Sequence, residues 1–349
     1  MFILAMSCGS YWLAVAGEVL HGLGSGTVMV AQRAVVSKFF LDNELTFALG
    51  VTVGVACISK TLAKASVAPI AEYFSSYMAA LWYVCIFNVL SLVAGCIYAR
   101  WVGAAADCMG MDIPSPGPSP SPGPDSIPRV GHPDFNAKSL LKALKRSTAA
   151  FWVLTVLHTL FLCAYHLFSN FSGHFMVENY RMSPVTAGYV SALMPLVVVF
   201  CAPLAGLVLD YMGYQIYVLL GASVTTTLGY ILLLKEQINP AVCIIMLALC
   251  ESFVPTILLS GLPLTVDHTV YGAAFGMCEV FSALGNVISN YFFGLSRDRT
   301  ASYKADIISL VVICVVCLAL TLYLLVWDSE NGGKLNQPRK RYGFTSLTS

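Results

Sequence analysis

Five ionisable side chains stand inside long apolar runs, and any chemistry this chain performs must start from them: Arg33, Lys60, Lys64, His158 and Glu251. A charge at bilayer depth is costly, so such groups are expected to face a bundle interior or a water-filled pathway. Lys60 and Lys64 lie four residues apart and share a helical face, where either could hold an anion. Arg33 could do the same, or extend its guanidinium to the nearer surface. His158 has the intrinsic range to titrate between acidic and neutral pH, and Glu251 could bind an amine or carry a proton. Packing is the alternative for both, as a histidine bonded to a neighbouring helix or a glutamate bridging two. Glu18, His21, His166 and Glu279 are weaker candidates of the same kind.

Other chemistries find little support. No Ser-His-Asp arrangement, paired catalytic carboxylates or His/Cys metal spacing runs across the apolar segments, so neither an enzyme nor a cofactor is expected. Cys314-Val-Val-Cys317 has redox or metal spacing but sits among valines and leucines, where thiols act as small hydrophobes. Gly22, Gly24 and Gly26 could suggest a phosphate loop; no strand precedes them and Thr27 takes the place of a third fingerprint glycine, so helix packing is the better reading. A formal net charge of +1 and an isoelectric point near 7.5 argue against nucleic acid as a partner.

The elements that position these residues are membrane spans. With 58% hydrophobic and 11% charged residues and a mean hydropathy of +0.77, the composition is that of an integral membrane protein. Complete spans are expected at 11–36, 47–70, 78–100, 149–172, 186–209, 214–234, 239–264, 270–296 and 305–327. A stub precedes the first, which suggests an N-terminus cut short; a cleaved leader ending at Ala14-Val15-Ala16 is the rival, without a basic region before it. Residues 1–101 form a first block of stub plus three spans and residues 149–328 a second block of six. Between them, residues 102–148 are a polar linker whose Pro/Ser/Gly run, Pro114 to Pro124, favours extended, solvated backbone. Its end, Ser139 to Leu144, is a basic amphipathic turn suited to a membrane surface. A tail follows at 329–349. Lys38, Arg100, Arg129, Lys138, Lys142, Lys145, Arg146, Lys334, Arg339, Lys340 and Arg341 share the linker's side, against Arg181, Lys235, Arg297, Arg299 and Lys304 opposite. That bias makes linker and tail cytosolic. Asn170-Phe-Ser172 falls inside a span, where glycosylation is not expected.

Ala68-Pro-Ile-Ala71 and Ala202-Pro-Leu-Ala205 recur three spans apart, the logic of three-helix repeats. Gly206-Leu-Val-Leu-Asp210-Tyr-Met-Gly213 resembles the Gly-x-x-x-Asp-(basic)-x-Gly loop of the major facilitator superfamily, with Tyr211 and Tyr214 in place of basic residues. Locally, Gly206 allows close packing, Asp210 can accept from a neighbouring helix end and Gly213 permits the turn. Gly294-Leu-Ser-Arg-Asp298-Arg299 is a partial copy on the opposite side. Gly22-Leu-Gly24-Ser-Gly26, Val30-Ala-Gln32, Phe39-Phe40, Glu44-Leu45, Tyr271-Gly-Ala-Ala-Phe-Gly276 with Gly285, and Gly332-Gly-Lys-Leu-Asn336 together resemble that superfamily's lysosomal dipeptide transporter branch over nearly the whole chain.

The resemblance implies an all-α helical bundle, N-terminally truncated by two helices and most of a third. It implies a secondary active or facilitative transporter, symporter or uniporter, that moves dipeptides or amino-acid-like solutes by alternating access, with protons as a candidate coupling ion. The membrane would be lysosomal or that of another acidic organelle, and a glycosylated accessory membrane protein would be a candidate partner beside the lipid bilayer. His158 and Glu251 fall on helices that line the superfamily's central cavity. At the positions of Gly26 and Cys57 the branch has an acidic residue and an arginine, which would hold the charged ends of a dipeptide; both are lost here. Lys64 and Lys60 lie about 20° and 60° from Cys57 around their helix, and Arg33 about 20° from Gly26, so charge could have moved. Two alternatives stay open: an organic anion or monocarboxylate carrier, and a non-transporting truncated protein that binds a partner.

Overall fold

Every backbone amide in a lipid interior must find its partner within the protein, and an unbroken apolar run meets that demand as a helix. A computed structural model of the chain describes residues 11–40, 44–108, 149–235, 238–266, 270–300 and 303–337. Among them are nine helices long and apolar enough to cross a membrane. They are α1 (Tyr11–Phe40), α2 (Leu45–Tyr73), α3 (Tyr77–Cys108), α4 (Ala149–Tyr180), α5 (Pro184–Met212), α6 (Gln215–Leu233), α7 (Pro240–Gly261), α8 (Tyr271–Thr300) and α9 (Tyr303–Glu330). Each expected span coincides with one helix, and most helices run several residues further because nothing in the flanking sequence stops them. The expected stub, the proline-rich run, the basic turn at 139–144 and the basic residues 339–341 lie outside the described residues.

Sequence punctuation sets the boundaries that do match. Ser183 accepts from the Thr186 N–H at 3.2 Å, with Pro184 opening α5, and Asn239 accepts from the Ala241 N–H at 3.0 Å, with Pro240 opening α7. Gly213, at φ 71°, closes α5 in a backbone conformation that favours glycine.

Helices α4 to α9 enclose two apolar cores. The one towards the start of α4 gathers Phe151, Leu154, Leu258, Phe275 and Leu324. The other, towards the end of α4, is aromatic: Phe168 meets Tyr230 edge-on at 5.6 Å, and Phe171 stacks on Phe293 at 4.5 Å and on Tyr303 at 5.4 Å. Helices α1 and α3 are exposed over most of their circumference. α1 leans on α8 and α2, and α3 on α2.

The tightest crossing joins α2 to α5, antiparallel along most of their length. A methyl group on Gly206 would collide with the Thr46 carbonyl oxygen and one on Gly50 with the Ala202 oxygen, and one on Gly54 would come within 2.9 Å of the Val199 oxygen. At the far end, a methyl on Gly188 would lie 3.1 Å from the Lys64 carbonyl oxygen. The opposing atoms are mostly backbone, which cannot swing aside. Gly206→Ala is therefore expected to cost about 1–3 kcal/mol, read as a lowered midpoint of thermal unfolding in detergent. Gly221→Ala, where a methyl meets nothing within 4 Å, should leave that midpoint unchanged or raise stability by up to about 1 kcal/mol.

Candidate functional site

Halfway along the bundle, α2, α4 and α7 bring together an ammonium, a phenol and a carboxylate. The Lys60 Nζ stands 5.7 Å from the centre of the Tyr165 ring, a cation–π placement. Lys60 is also within electrostatic reach of Glu251 on α7. Glu251 borders a cavity of about 10 Å³ shared with Tyr165, Thr226, Tyr230 and Cys250, room for about one water. Tyr230 donates to the Ala164 carbonyl at 3.2 Å, whereas the buried Tyr165 hydroxyl has no hydrogen-bond partner among the described residues. Cys57 is buried one turn before Lys60 and lies within reach of both Lys60 and Glu251. On its other side Lys60 borders a groove of about 580 Å³ between α2 and α3, which Asn88 and Ser91 also line.

Lys64, one turn beyond Lys60, is held differently. Its ammonium donates to the Ser169 carbonyl at 2.6 Å and the Ser172 hydroxyl at 3.3 Å, both on α4. These acceptors are neutral, so the positive charge there has hydrogen bonds but no counter-charge from them.

Arg33 does not extend to the surface. It pairs directly with Glu279 on α8, and their side chains are only 11% and 21% exposed. His158 on α4 lies within electrostatic reach of Arg33 and is buried, with neither ring nitrogen bonded among the described residues. The expected bond from this histidine to a neighbouring helix is therefore absent among those residues, and Glu279, a weaker candidate by sequence, is the partner of Arg33. A hint of that pair lies in the sequence: two charges of opposite sign well inside separate apolar helices. Gly26 faces open space, with nothing within 4 Å of a methyl built on it. Glu18 and His21 are exposed on α1.

The glycine–aspartate loop serves as a helix cap across chain segments. α2 begins from Glu44 in the left-handed conformation, without a cap from that residue's own side chain. Asp210 at the end of α5 supplies it: the Thr46 N–H donates to Oδ1 at 3.2 Å and the Phe47 N–H to Oδ2 at 2.7 Å. A carboxylate on the first free amides of a helix also meets the positive end of its dipole. α6 begins in the same way from left-handed Tyr214. Its cap comes from the tail, where the Asn336 carbonyl accepts from the Tyr214 N–H at 3.0 Å and its Oδ1 from the Ile216 N–H at 2.9 Å, while its Nδ2 donates to Asp328 at 3.0 Å. At the other end of the bundle Arg297 donates to both Glu178 oxygens at 2.9 Å and stacks 3.6 Å from the Tyr303 ring centre, and His174 shares a 2.9 Å hydrogen bond with Tyr303. Sequence reading does not find these last two clusters, because each is assembled from ordinary polar residues at helix ends.

Fold and site together define a polytopic α-helical membrane protein with a lysine and a glutamate placed at mid-depth on helices from either side of a long connection. The chain matches the Major Facilitator Superfamily over residues 1–290, and it belongs to that superfamily. Among characterised proteins it is similar to the lysosomal dipeptide transporter MFSD1 of Danio rerio, at 19% identity covering 96% of this chain and 70% of the relative. The proteins of the same name from Bos taurus, at 20% identity over 98% of this chain and 70% of the relative, and from Gallus gallus, at 21% over 98% and 75%, are similar to the same degree.

Asp210→Ala removes both acceptors from the start of α2 and is expected to cost about 1–2 kcal/mol, with faster amide exchange at residues 45–50. Asp210→Asn keeps one oxygen and should show roughly half of that loss; equal exchange in all three proteins would mean that the carboxylate does not hold this helix end.

Proposed function

We propose that the chain is a solute transporter working by alternating access, with its substrate site around Lys60, Tyr165 and Glu251. The observation that carries this reading is the placement of a lysine from α2 and a glutamate from α7 within electrostatic reach of each other at mid-depth, one before and one after the long connection. A solute gripped at once by both groups would couple the two sets of helices, which is what a rocking transporter needs. The charge pattern suits a small zwitterion. Glu251 would take an ammonium group and Lys60, with Lys64 one turn away, a carboxylate. Dipeptides and amino-acid-like compounds have that pattern, and the dipeptide transport for which the MFSD1 relatives are named agrees with it. Their name also supports a lysosomal or other acidic-organelle membrane, and the Lys and Arg bias supports a cytosolic connection and tail. The seam between α2 and α5, closed at one end by Asp210, would then be a joint between two halves, residues 1–101 and 149–328.

An organic anion or monocarboxylate is the second reading, favoured by Lys64, whose ammonium donates to neutral oxygens. The two readings part on Glu251. Uptake of labelled dipeptides and of labelled monocarboxylates into acidified vesicles is expected to show dipeptide flux, reduced at least about tenfold by Glu251→Gln and by Lys60→Gln. Monocarboxylate flux that depends on Lys60 and not on Glu251 would select the second reading, and dipeptide flux indifferent to Glu251→Gln would remove the carboxylate from the site.

A further inference from the structure

We propose that Arg297 is a two-position latch at the end of the bundle remote from the Asp210 loop: it ties α8 to α4 through Glu178 at neutral pH, and to α9 through Asp306 once His174 takes up a proton. The inference does not depend on what the chain moves. In the present position one guanidinium nitrogen donates to both Glu178 oxygens at 2.9 Å, and the guanidinium carbon lies 3.6 Å from the Tyr303 ring centre. The other terminal nitrogen, Nη1, is buried and has no hydrogen-bond partner among the described residues. Asp306 on α9 is its counterpart: it is 1% exposed, lies within electrostatic reach of Arg297, and has neither carboxylate oxygen bonded among those residues. The Ser296 hydroxyl lies close by, short of hydrogen-bond geometry. Buried polar groups are bonded as a rule, so an unbonded guanidinium nitrogen and an unbonded carboxylate within reach of each other mark a second seat for the arginine. Asp306 holds its charge there because it lies in the first turn of α9, at the positive end of the helix dipole, and faces a guanidinium.

The trigger is His174. Its side chain is 64% exposed, and its Nδ1 lies 2.9 Å from the Tyr303 hydroxyl and 3.4 Å from Glu178 Oε1. Neutral, the imidazole accepts at Nδ1 from that hydroxyl and leaves Glu178 to Arg297. A histidine changes charge between acidic and neutral pH. The proton arrives from solvent on Nδ1, which then donates to Glu178 instead, so two cations compete for one carboxylate. Their repulsion is relieved when Arg297 turns to Asp306. Tyr303 serves both seats, since it lies within electrostatic reach of Arg297, Glu178 and Asp306 alike. The titratable and charged groups around the latch are His174 and Glu178 from α4, Arg297 from α8, and Tyr303 and Asp306 from α9, with Asp298, Arg299 and Lys304 exposed beside it. The window from pH 7.5 to 5.5 lies above the ordinary carboxylate range, so His174 is the group that changes charge in it. The α4 seat is therefore favoured at higher pH and the α9 seat as pH falls.

Hydrogen–deuterium exchange on the purified full chain in lipid nanodiscs reads the two seats separately, with exchange times scaled for the intrinsic effect of pH. From pH 7.5 to pH 5.5, a peptide covering residues 172–180 is expected to exchange about threefold faster and one covering residues 303–310 about threefold slower. Glu178→Gln should show the pH 5.5 pattern at both pH values, and His174→Gln the pH 7.5 pattern at both. Asp306→Asn should lose the slowing at residues 303–310. A parent with the same exchange at both pH values, or a His174→Gln protein that responds as the parent does, would overturn the role of His174. Slowing at residues 303–310 that survives Asp306→Asn would overturn the second seat. Should Asp306→Asn fail to fold, judged by its midpoint of thermal unfolding, Glu178→Gln decides: residues 303–310 exchanging no slower than in the parent at pH 7.5 would overturn the second seat. No solute is added, so these outcomes stand apart from those of the uptake assay.

Discussion

Backbone against backbone along the α2–α5 crossing is the contact on which the rest of this bundle depends. Side chains can change rotamer to accommodate movement, but carbonyl oxygens at Thr46, Val199 and Ala202 cannot leave their own helices, and the glycines opposite them leave no room for a methyl. The crossing is therefore stiff against closer approach of the helices, and little side-chain interdigitation opposes a small slide or tilt. α3 touches the body mainly through α2, so its placement follows from this seam, and α1 is held between α2 and α8.

Two helix starts draw help from outside themselves. α2 and α6 both start from a residue with positive φ, a sharp entry that brings the preceding segment back against the bundle but removes the usual local cap. The missing acceptors arrive from elsewhere in the chain: Asp210 from the end of α5 for α2, and Asn336, steadied by Asp328, for α6. Leu335, buried beside Asn336, adds apolar contact against the core near Leu154 and Gly261. Gly332 and Gly333, both at positive φ, let the chain double back to place it. A short stretch of tail thereby completes a helix far earlier in the chain.

Much of the fold was legible because the bilayer imposes a single rule: polar backbone inside helices, apolar side chains outside. Length and hydropathy then give the spans, and Pro184, Pro240 and Gly213 mark ends that the structure keeps. Lateral neighbours were not legible in the same way. Helices α1, α2 and α8 all read as apolar cylinders; Arg33 and Glu279 hint that α1 and α8 meet, but other ionisable residues inside the apolar runs compete for that pairing, and only the structure selects it. The polar site was partly legible. Lys60 and Glu251 stood out as ionisable residues in apolar surroundings and lie within electrostatic reach, whereas Tyr165, between Ala164 and His166, gave no sign that its ring would face Lys60. His158 was legible as a buried histidine, but its lack of a bonded partner depends on three-dimensional neighbours.

Charge is distributed by depth in a way that no single helix reveals. Near the α4 N-terminal end the positive charge of Arg33 is cancelled by Glu279; at mid-depth Lys60 has Glu251 within reach but lies over an aromatic face; one turn further, Lys64 is solvated by neutral oxygens. Counter-charge thus weakens from Arg33 through Lys60 to Lys64. On the proposed transport reading, an anion would find Arg33 already compensated and Lys60 and Lys64 less so, which favours the latter two as its partners. The uncharged Gly26 and Cys57 add nothing to that gradient. On the proposed transport reading, the carboxylate pole of a substrate is set by α2 alone, and the ammonium pole by α7, which places the discriminating contacts on opposite sides of the α2–α5 seam rather than within one set of helices.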